Sequence, residues 1–345
     1  MDISYISEGS NLVFVAKQGK EKASILYLSP VYTNYGDALC EIKNIVTKPK
    51  YQRQGFMDSL LKEVFECVSE EKEPFVYLYT KNPEYFTKYG FVSVNSKPIL
   101  TINPKRASEK LIREAIATQK GFTMLVKDLG TMDFHVVKDS ECARAARYLS
   151  TFYQNNRELY PVTNEEMVRS LKAECVAEGG DLFMAEFEGI VKGIFILIPS
   201  ENGTEVKVLA MEEELNAWEI CIPTDEKEYQ MVRIINVKAF LGMMGSDREF
   251  VLAIRIKDDK LIENEGLYLL HASPDGGVIN SDKIVNDSFE NKGECLSAEC
   301  EISIEKLAEF AFGCAKAKDT FRIYVKSRES ELTKRLDELK GVIWE

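Results

Sequence analysis

The chain is poor in histidine, with two in 345 residues. Its eight cysteines stand at 40, 67, 142, 175, 221, 295, 300 and 314, and they form neither a CxxC pair nor a zinc-like set with histidine. No metal is therefore expected. Most of the cysteines are flanked by apolar residues and read as buried free thiols, which fits a reducing cytoplasm. No apolar stretch is long enough to span a bilayer, and the opening MDISYISEGSNLVF has no basic-then-apolar leader. Positive charge is also short. Lys and Arg number 44 against 56 Asp and Glu, a net charge of -12. That balance argues against a nucleic-acid partner and weakly favours a cationic ligand. The rest, 45% hydrophobic and 29% charged, is the composition of a folded soluble protein, too long for one ordinary core.

What is present centres on Ile45 to Leu61, IVTKPKYQRQGFMDSLL. It reads as a strand end, a tight loop and a helix start, because Phe56, Met57, Leu60, Leu61, Val64 and Phe65 recur at helical spacing. The first amides of a helix have no internal partner, and the macrodipole adds roughly half a positive charge there. Gly55 lets a ligand approach closely, and Arg53 can add charge-assisted hydrogen bonds. The local chemistry points to phosphate or pyrophosphate.

The chain order places this loop in a recognisable setting. Antiparallel strands precede it: NLVFVAK, a Gln18-Gly19 turn, ASILYL, then a third strand from Ala38 to Thr47. Its helix ends in the charged run before Pro74. FVYLYT follows as a strand, then the short helix YFTKYGF with Gly90 at its stop, then another strand. The middle block opens on DFHVV. Two helices follow, capped at Asp139-Ser140 and at Thr163-Asn164, and then the strands DLFMAEFEG, IVKGIFILI and VKVLAM. From Tyr229 a strand runs into an amphipathic helix. FVLAIRIKDD, GLYLLHAS and a helix capped by Ser303 come after. Both histidines read as structural: His135 alternates within a strand, and His271 follows an apolar run.

The β-β-β-loop-α-β-α-β order resembles the GCN5-related N-acetyltransferase (GNAT) superfamily. The residues that carry the resemblance are Q-x-x-G at Gln52 to Gly55, V-T-x-P at Val46 to Pro49, and F-x-x-Y-G-F at Phe86 to Phe91. The superfamily loop is R/Q-x-x-G-x-G/A, and Met57 replaces its last small residue. Across nearly the whole chain the sequence is similar to the enhanced intracellular survival (Eis) family, through GFM at Gly55 to Met57, Ala177 to Gly193, and Met231 to Leu241. The resemblance implies a mixed α/β fold with three domains. These are a GNAT domain at 1–125, a second GNAT-like domain without a coenzyme A loop at 126–225, and a sterol-carrier-protein-like domain at 226–345. It implies acetyl-CoA as cosubstrate, an amine acceptor and an oligomer. Two helices usual near the start of a GNAT domain are not seen before NLVFVAK, so the acceptor site is expected to be truncated or completed by another part of the chain.

The resemblance also assigns roles. Pyrophosphate falls to the amides of Gln52, Arg53, Gln54, Gly55, Phe56 and Met57, and the pantetheine arm lies beside Ile45 and Thr47. The thiolate acid of the family is a tyrosine at the position held here by Phe86, which leaves Tyr85, one residue earlier, as the candidate. For the base there are two candidates. Glu41 stands eleven residues before Gln52, and strand alternation puts it on one face with Lys43, Ile45 and Thr47. The Eis family instead uses its terminal carboxylate, here that of Glu345. The functional reading is transfer of acetyl to a primary amine of a cationic small molecule or lysine. The alternative is a non-catalytic acyl-CoA- or lipid-binding protein.

Overall fold

The computed structural model describes residues 1–9, 11–34, 38–126, 130–157, 160–201, 203–212, 220–274, 280–284 and 298–342. Contacts divide the chain into two compact units. One joins Met1–Ser96 with the chain from Tyr229 onward, and the other is Lys97–Glu228. The sequence reading places its divisions at 125 and 225 and keeps the first and last stretches apart. Among the described residues, no helix is long and apolar enough to cross a membrane.

The first stretch lays down β1 (Asp2–Glu8), β2 (Asn11–Gln18), β3 (Glu21–Tyr32) and β4 (Ala38–Thr47), each antiparallel to the one before. The Gln18-Gly19 turn forms as expected, with Gly19 at φ 61°. Next come α1 (Phe56–Glu70), β5 (Phe75–Thr80), α2 (Glu84–Thr87) and β6 (Val92–Ile102). The buried face of α1 carries Phe56, Leu60, Leu61, Val64, Phe65 and Val68, the 3–4 spacing of an amphipathic helix. It covers one face of the sheet, through Leu26, Leu28, Ile42, Val76 and Leu78.

The middle unit follows with α3 (Glu109–Thr118), β7 (Gly121–Val126), β8 (Gly130–Val136), α4 (Cys142–Asn156) and α5 (Glu165–Ala177). Then β9 (Asp181–Phe187), β10 (Ile190–Ser200) and β11 (Gly203–Met211) line up in the order β11-β10-β9-β8-β7. Alternation is visible in β9. Phe183 and Ala185 join the cluster of α3, while Leu182 and Met184 join that of α4 and α5. A strand buried on both faces reads as a continuous apolar run, as DLFMAEF does. His135 Nε2 lies 3.3 Å from Glu141 Oε1, six residues on, but makes no hydrogen bond to it.

β12 (Cys221–Ile234) carries the chain out of the middle unit. Its second half pairs antiparallel with β5, from Tyr229↔Thr80 to Ile234↔Phe75. This strand, assigned on sequence to the last domain, completes the sheet of the first. After α6 (Val237–Gly242), the tail contributes β13 (Gly245–Ser246), β14 (Phe250–Lys257), β15 (Gly266–Ala272), β16 (Asn280–Ile284) and β17 (Cys300–Ser303). It ends with α7 (Ile304–Ala311), α8 (Ala317–Thr320), β18 (Arg322–Ile323), α9 (Glu329–Asp337) and β19 (Leu339–Lys340). A second sheet has the order β16-β15-β14-β17-β18. His271 lies exposed on β15, and Ser303 caps α7 as its sequence position predicts.

The tail also covers sheet surface. Phe75 is fully buried and lies on the face of β5 away from α1. Phe240 and Phe312 meet it edge-on, with ring centroids 5.9 and 5.6 Å away. At this end of the sheet the covering side chains thus come from residues more than a hundred positions later.

Candidate active site

β4 and β5 run parallel but stay together for only two register pairs, Cys40↔Val76 and Glu41↔Tyr77. Beyond Glu41 the edge of β4 that faces β5 makes no ladder with it, so the two strands part inside the sheet. Asn44 stands in this parted segment at φ 50°. Register confirms a bulge there: Tyr27 opposes Lys43, while Ile25 opposes Val46, so two residues of β4 answer to Leu26.

The bulge corrects the expected facing. Strict alternation puts Glu41, Lys43, Ile45 and Thr47 on one side. One extra residue reverses everything beyond it. Ile45 instead packs into the α1 core with Ile42, and Thr47 Oγ1 lies 2.8 Å from the buried Ser24 Oγ. Glu41 and Lys43 remain on the opposite face, alongside Val46.

From Thr47 the chain enters the loop. Pro49–Tyr51 makes a single 3₁₀ turn. Glu21, at the start of β3, pins this turn through Lys48 Nζ (3.1 Å), Lys50 Nζ (2.5 Å) and the Tyr51 hydroxyl (2.9 Å). Those bonds, with the Lys50 one foremost, lower the Glu21 carboxyl to about 2. Sequence reasoning missed Glu21; only the pairing of β3 with β4 brings it near. The Gln52 side chain donates to the Thr47 carbonyl (3.3 Å), and that of Gln54 donates to the Lys50 carbonyl (2.7 Å). Both glutamines brace the loop. The Gln52 amide is also taken, by the Pro49 carbonyl at 3.3 Å. The run of amides without a protein partner therefore begins one residue later than the sequence suggests.

Arg53 and Gly55 both adopt left-handed backbone, at φ 60° and 82°. Gly55 is the N-cap of α1, and no side chain caps that helix. The first helical bond runs from the Ser59 amide to the Gly55 carbonyl (3.0 Å), so the Phe56, Met57 and Asp58 amides point out of the helix end without internal partners. Asp58 does not fold back over them. Its carboxylate bonds the Tyr89 hydroxyl and Lys88 Nζ (the latter at 2.9 Å), and those two contacts lower its pKa. Burial and the Asp58 bond push Tyr89 up to about 12.

The short helix α2 places Phe86 in the core against Phe91, at a centroid distance of 5.9 Å. Tyr85, the candidate acid, stands 60% exposed on its outer side. Gly90 follows at φ 82°, and a Cβ there would sit 3.0 Å from the guanidinium of Arg233. Arg233 is fully buried on β12, and its Nη2 donates to both oxygens of Asp258 (2.7 and 2.8 Å). The glycine of the YGF signature therefore meets two demands, a positive φ and a flat guanidinium.

On the face opposite α1, Glu41 is flanked by two groups. Lys43 Nζ lies 3.4 Å from Glu41 Oε2, where the carboxylate-bearing side chain is 17% exposed and that of Lys43 28%. The Tyr77 hydroxyl, brought alongside by the β4–β5 register, is hydrogen-bonded to Glu41. Burial, and then the Glu41 charge, push the Tyr77 ionisation well up, so it stays a neutral donor. Tyr79 stands edge-on to it at 6.0 Å and is half exposed. Neither tyrosine is singled out by sequence, because FVYLYT reads as an ordinary buried strand. Cys40, the nearest thiol, is pushed up to about 12 by burial and Glu73. It stays protonated and is a poor nucleophile. Glu345, the rival base, and Cys295 lie outside the described residues.

A family model described as an acetyltransferase (GNAT) domain matches residues 16–93, the stretch that holds the parted strands, the loop and α1. Among solved structures, the chain resembles a conserved protein of unknown function from Enterococcus faecalis V583, described as a probable N-acyltransferase. Identity is 13%, the TM-score 0.62, and coverage 97% of this chain and 89% of that one. It also resembles Eis1 from Mycobacterium abscessus, with 10% identity, a TM-score of 0.57, and coverage of 97% and 89%. A curated relative, ARF guanine-nucleotide exchange factor 1 of Saccharomyces cerevisiae, is 24% identical over 229 residues, which is 66% of this chain. The chain spans only 16% of that protein's length. The fold is thus shared with these two structures over nearly its full length, and residues 16–93 match the acetyltransferase (GNAT) domain model.

Proposed function

We propose that the protein is an acetyl-CoA-dependent N-acetyltransferase of the Eis type, acting on a primary amine of a cationic small molecule or on lysine. The observation that carries this reading is the parting of β4 from β5 directly ahead of an uncapped helix N-terminus. A cleft within a sheet accepts the slim pantetheine arm, with Ile45 and Thr47 along its wall. The amides from Arg53 to Met57, with the helix dipole behind them, take the pyrophosphate.

In this reading the amine approaches from the face opposite α1 and attacks the thioester directly. The protonated Cys40 gives no support to an acyl-enzyme. Glu41 draws the cationic amine in; the amine gives one proton to solvent, attacks in its neutral form, and passes its second proton to Glu41 as the tetrahedral intermediate forms. Tyr77 and Lys43 hold the carboxylate in one orientation. Tyr85 is the side-chain candidate for returning a proton to the thiolate. The carboxylate of Glu345 remains the alternative base. We read the tail, with its five-stranded sheet, as the sterol-carrier-protein-like domain, and a cytoplasmic homo-oligomer completes the proposal.

Phe86 favours a second reading, a protein that binds acyl-CoA without transferring the acyl group. Its buried ring leaves no proton donor where the family has one. Two measurements decide. Calorimetric titration with acetyl-CoA should show saturable binding; no binding at millimolar cofactor overturns both readings. Thiol release with a panel of aminoglycosides, polyamines and lysine peptides should then show turnover. Binding without any release leaves the second reading standing.

A further inference from the structure

Two residues past Glu41, the same strand carries a primary amine of its own. Lys43 Nζ lies 3.4 Å from Glu41 Oε2. Both side chains leave the sheet on the face opposite α1, since Ser29 opposes Glu41 and Tyr27 opposes Lys43 in the neighbouring strand. Lys43 also springs from the segment of β4 that has parted from β5, just before the Asn44 bulge. An amine, a carboxylate able to take its proton and the mouth of the cleft therefore stand together within one turn of strand. The Lys43 side chain is 28% exposed, so the ammonium is open to reagents. On an extended strand, residues two apart lie roughly 7 Å apart and share a face, so the long lysine stem can fold back toward Glu41 or swing to the cleft.

We propose that Lys43 is an acceptor in its own right, a self-acetylation site. The proposal rests on the acetyl-CoA reading of the cleft. In the step, the Lys43 ammonium first gives one proton to solvent, and the neutral Nζ then attacks the thioester carbonyl carbon. The N–C bond forms and the C–S bond breaks. Glu41 takes the proton from the attacking nitrogen, and coenzyme A leaves as a thiolate that solvent protonates. The product is a neutral amide. Glu41 loses its resident cation, and the added acetyl group occupies the side from which outside amines arrive. An external amine and Lys43 therefore compete for the same carboxylate, and the modified chain transfers more slowly to outside amines.

The test uses the full chain with carbon-13-labelled acetyl-CoA, read by intact mass and peptide mapping. The expected result is one acetyl group per chain, on the peptide holding Lys43, at a rate independent of chain concentration. Lys43→Arg should remove the label, and Glu41→Gln should slow it at least about 10-fold. Label spread over exposed lysines such as Lys62 and Lys88, and indifferent to Glu41→Gln, overturns the proposal as simple chemical acetylation. Turnover of an added amine with Lys43 unmodified overturns it while the acyl-transfer reading stands. No binding in a parallel acetyl-CoA titration overturns both.

Discussion

Tyr77→Phe removes one hydroxyl and keeps the ring, so its effect reports on the bond to Glu41. A hydrogen bond to a charged group is worth about 1.5–3 kcal/mol. With about 1.4 kcal/mol for each pKa unit, full loss of that bond would raise the Glu41 carboxyl by about 1–2 units. Part of the support survives. Lys43 still lies 3.4 Å away, and water reaches a side chain that is 17% exposed. The net rise should be about one unit. The sign follows from which form the hydroxyl stabilises: it donates to the carboxylate, so its loss favours the protonated acid. Transfer needs the carboxylate, and the acid limb of the kcat/KM profile should move about one unit to higher pH. The variant phenyl ring cannot ionise, and burial holds the native phenol neutral across the same range, so no alkaline limb changes with it. The assay is thiol release against pH, with acetyl-CoA affinity measured in parallel. An acid limb that stays put at unchanged cofactor affinity refutes the role given to Tyr77, and with it the case for Glu41 as base.

Other outcomes follow from the same geometry. Glu41→Gln should lower kcat about 100-fold while acetyl-CoA affinity holds; activity that survives this change but is lost on trimming Glu345 assigns the base to the terminus. Gly55→Ala has room for its methyl, with Asp58 Oδ2 3.7 Å away, but must hold φ 82°. That costs roughly 1–2 kcal/mol, and titration should show acetyl-CoA binding weakened about 5- to 30-fold. Unchanged binding would mean that this loop does not hold the cofactor. Phe240→Ala opens a cavity where the tail meets Phe75 and should destabilise the protein by about 3–5 kcal/mol in denaturant unfolding; a loss under 1 kcal/mol would mean the tail is only loosely laid on the sheet.

Much of the first unit was legible because its rules are local. Alternation located β2, β3 and β4. The Gln52–Gly55 motif located the loop, and the spacing of Leu60, Leu61 and Val64 located the buried face of α1. What stayed hidden depends on partners distant in sequence. Nothing around Asn44 announces a bulge, since an asparagine in a strand is unremarkable, yet that residue decides which face Ile45 occupies. Tyr77 looked like core because its neighbour Glu41 is met only through register. Arg233 sits within a run of apolar residues where a charge is unexpected. Asp258, which makes its burial tolerable, lies on a different sheet's connection. The pairing of the strand after Tyr229 with Phe75–Thr80 also stayed hidden, because strand pairing leaves no mark on either sequence.

That last pairing bears on how the molecule is made. A ribosome delivers β5 about 150 residues before its partner in β12, a gap of roughly 8–30 s at ordinary elongation rates. Throughout that interval the nascent acyltransferase block carries an open sheet edge, FVYLYT, rich in aromatic and β-branched residues and devoid of charge. Such an edge invites pairing with another chain. Synthesis of this protein should therefore lean on chaperones at an early stage. Production of the front third alone should yield aggregates, and a peptide spanning Tyr229–Ile234 supplied in trans should relieve them.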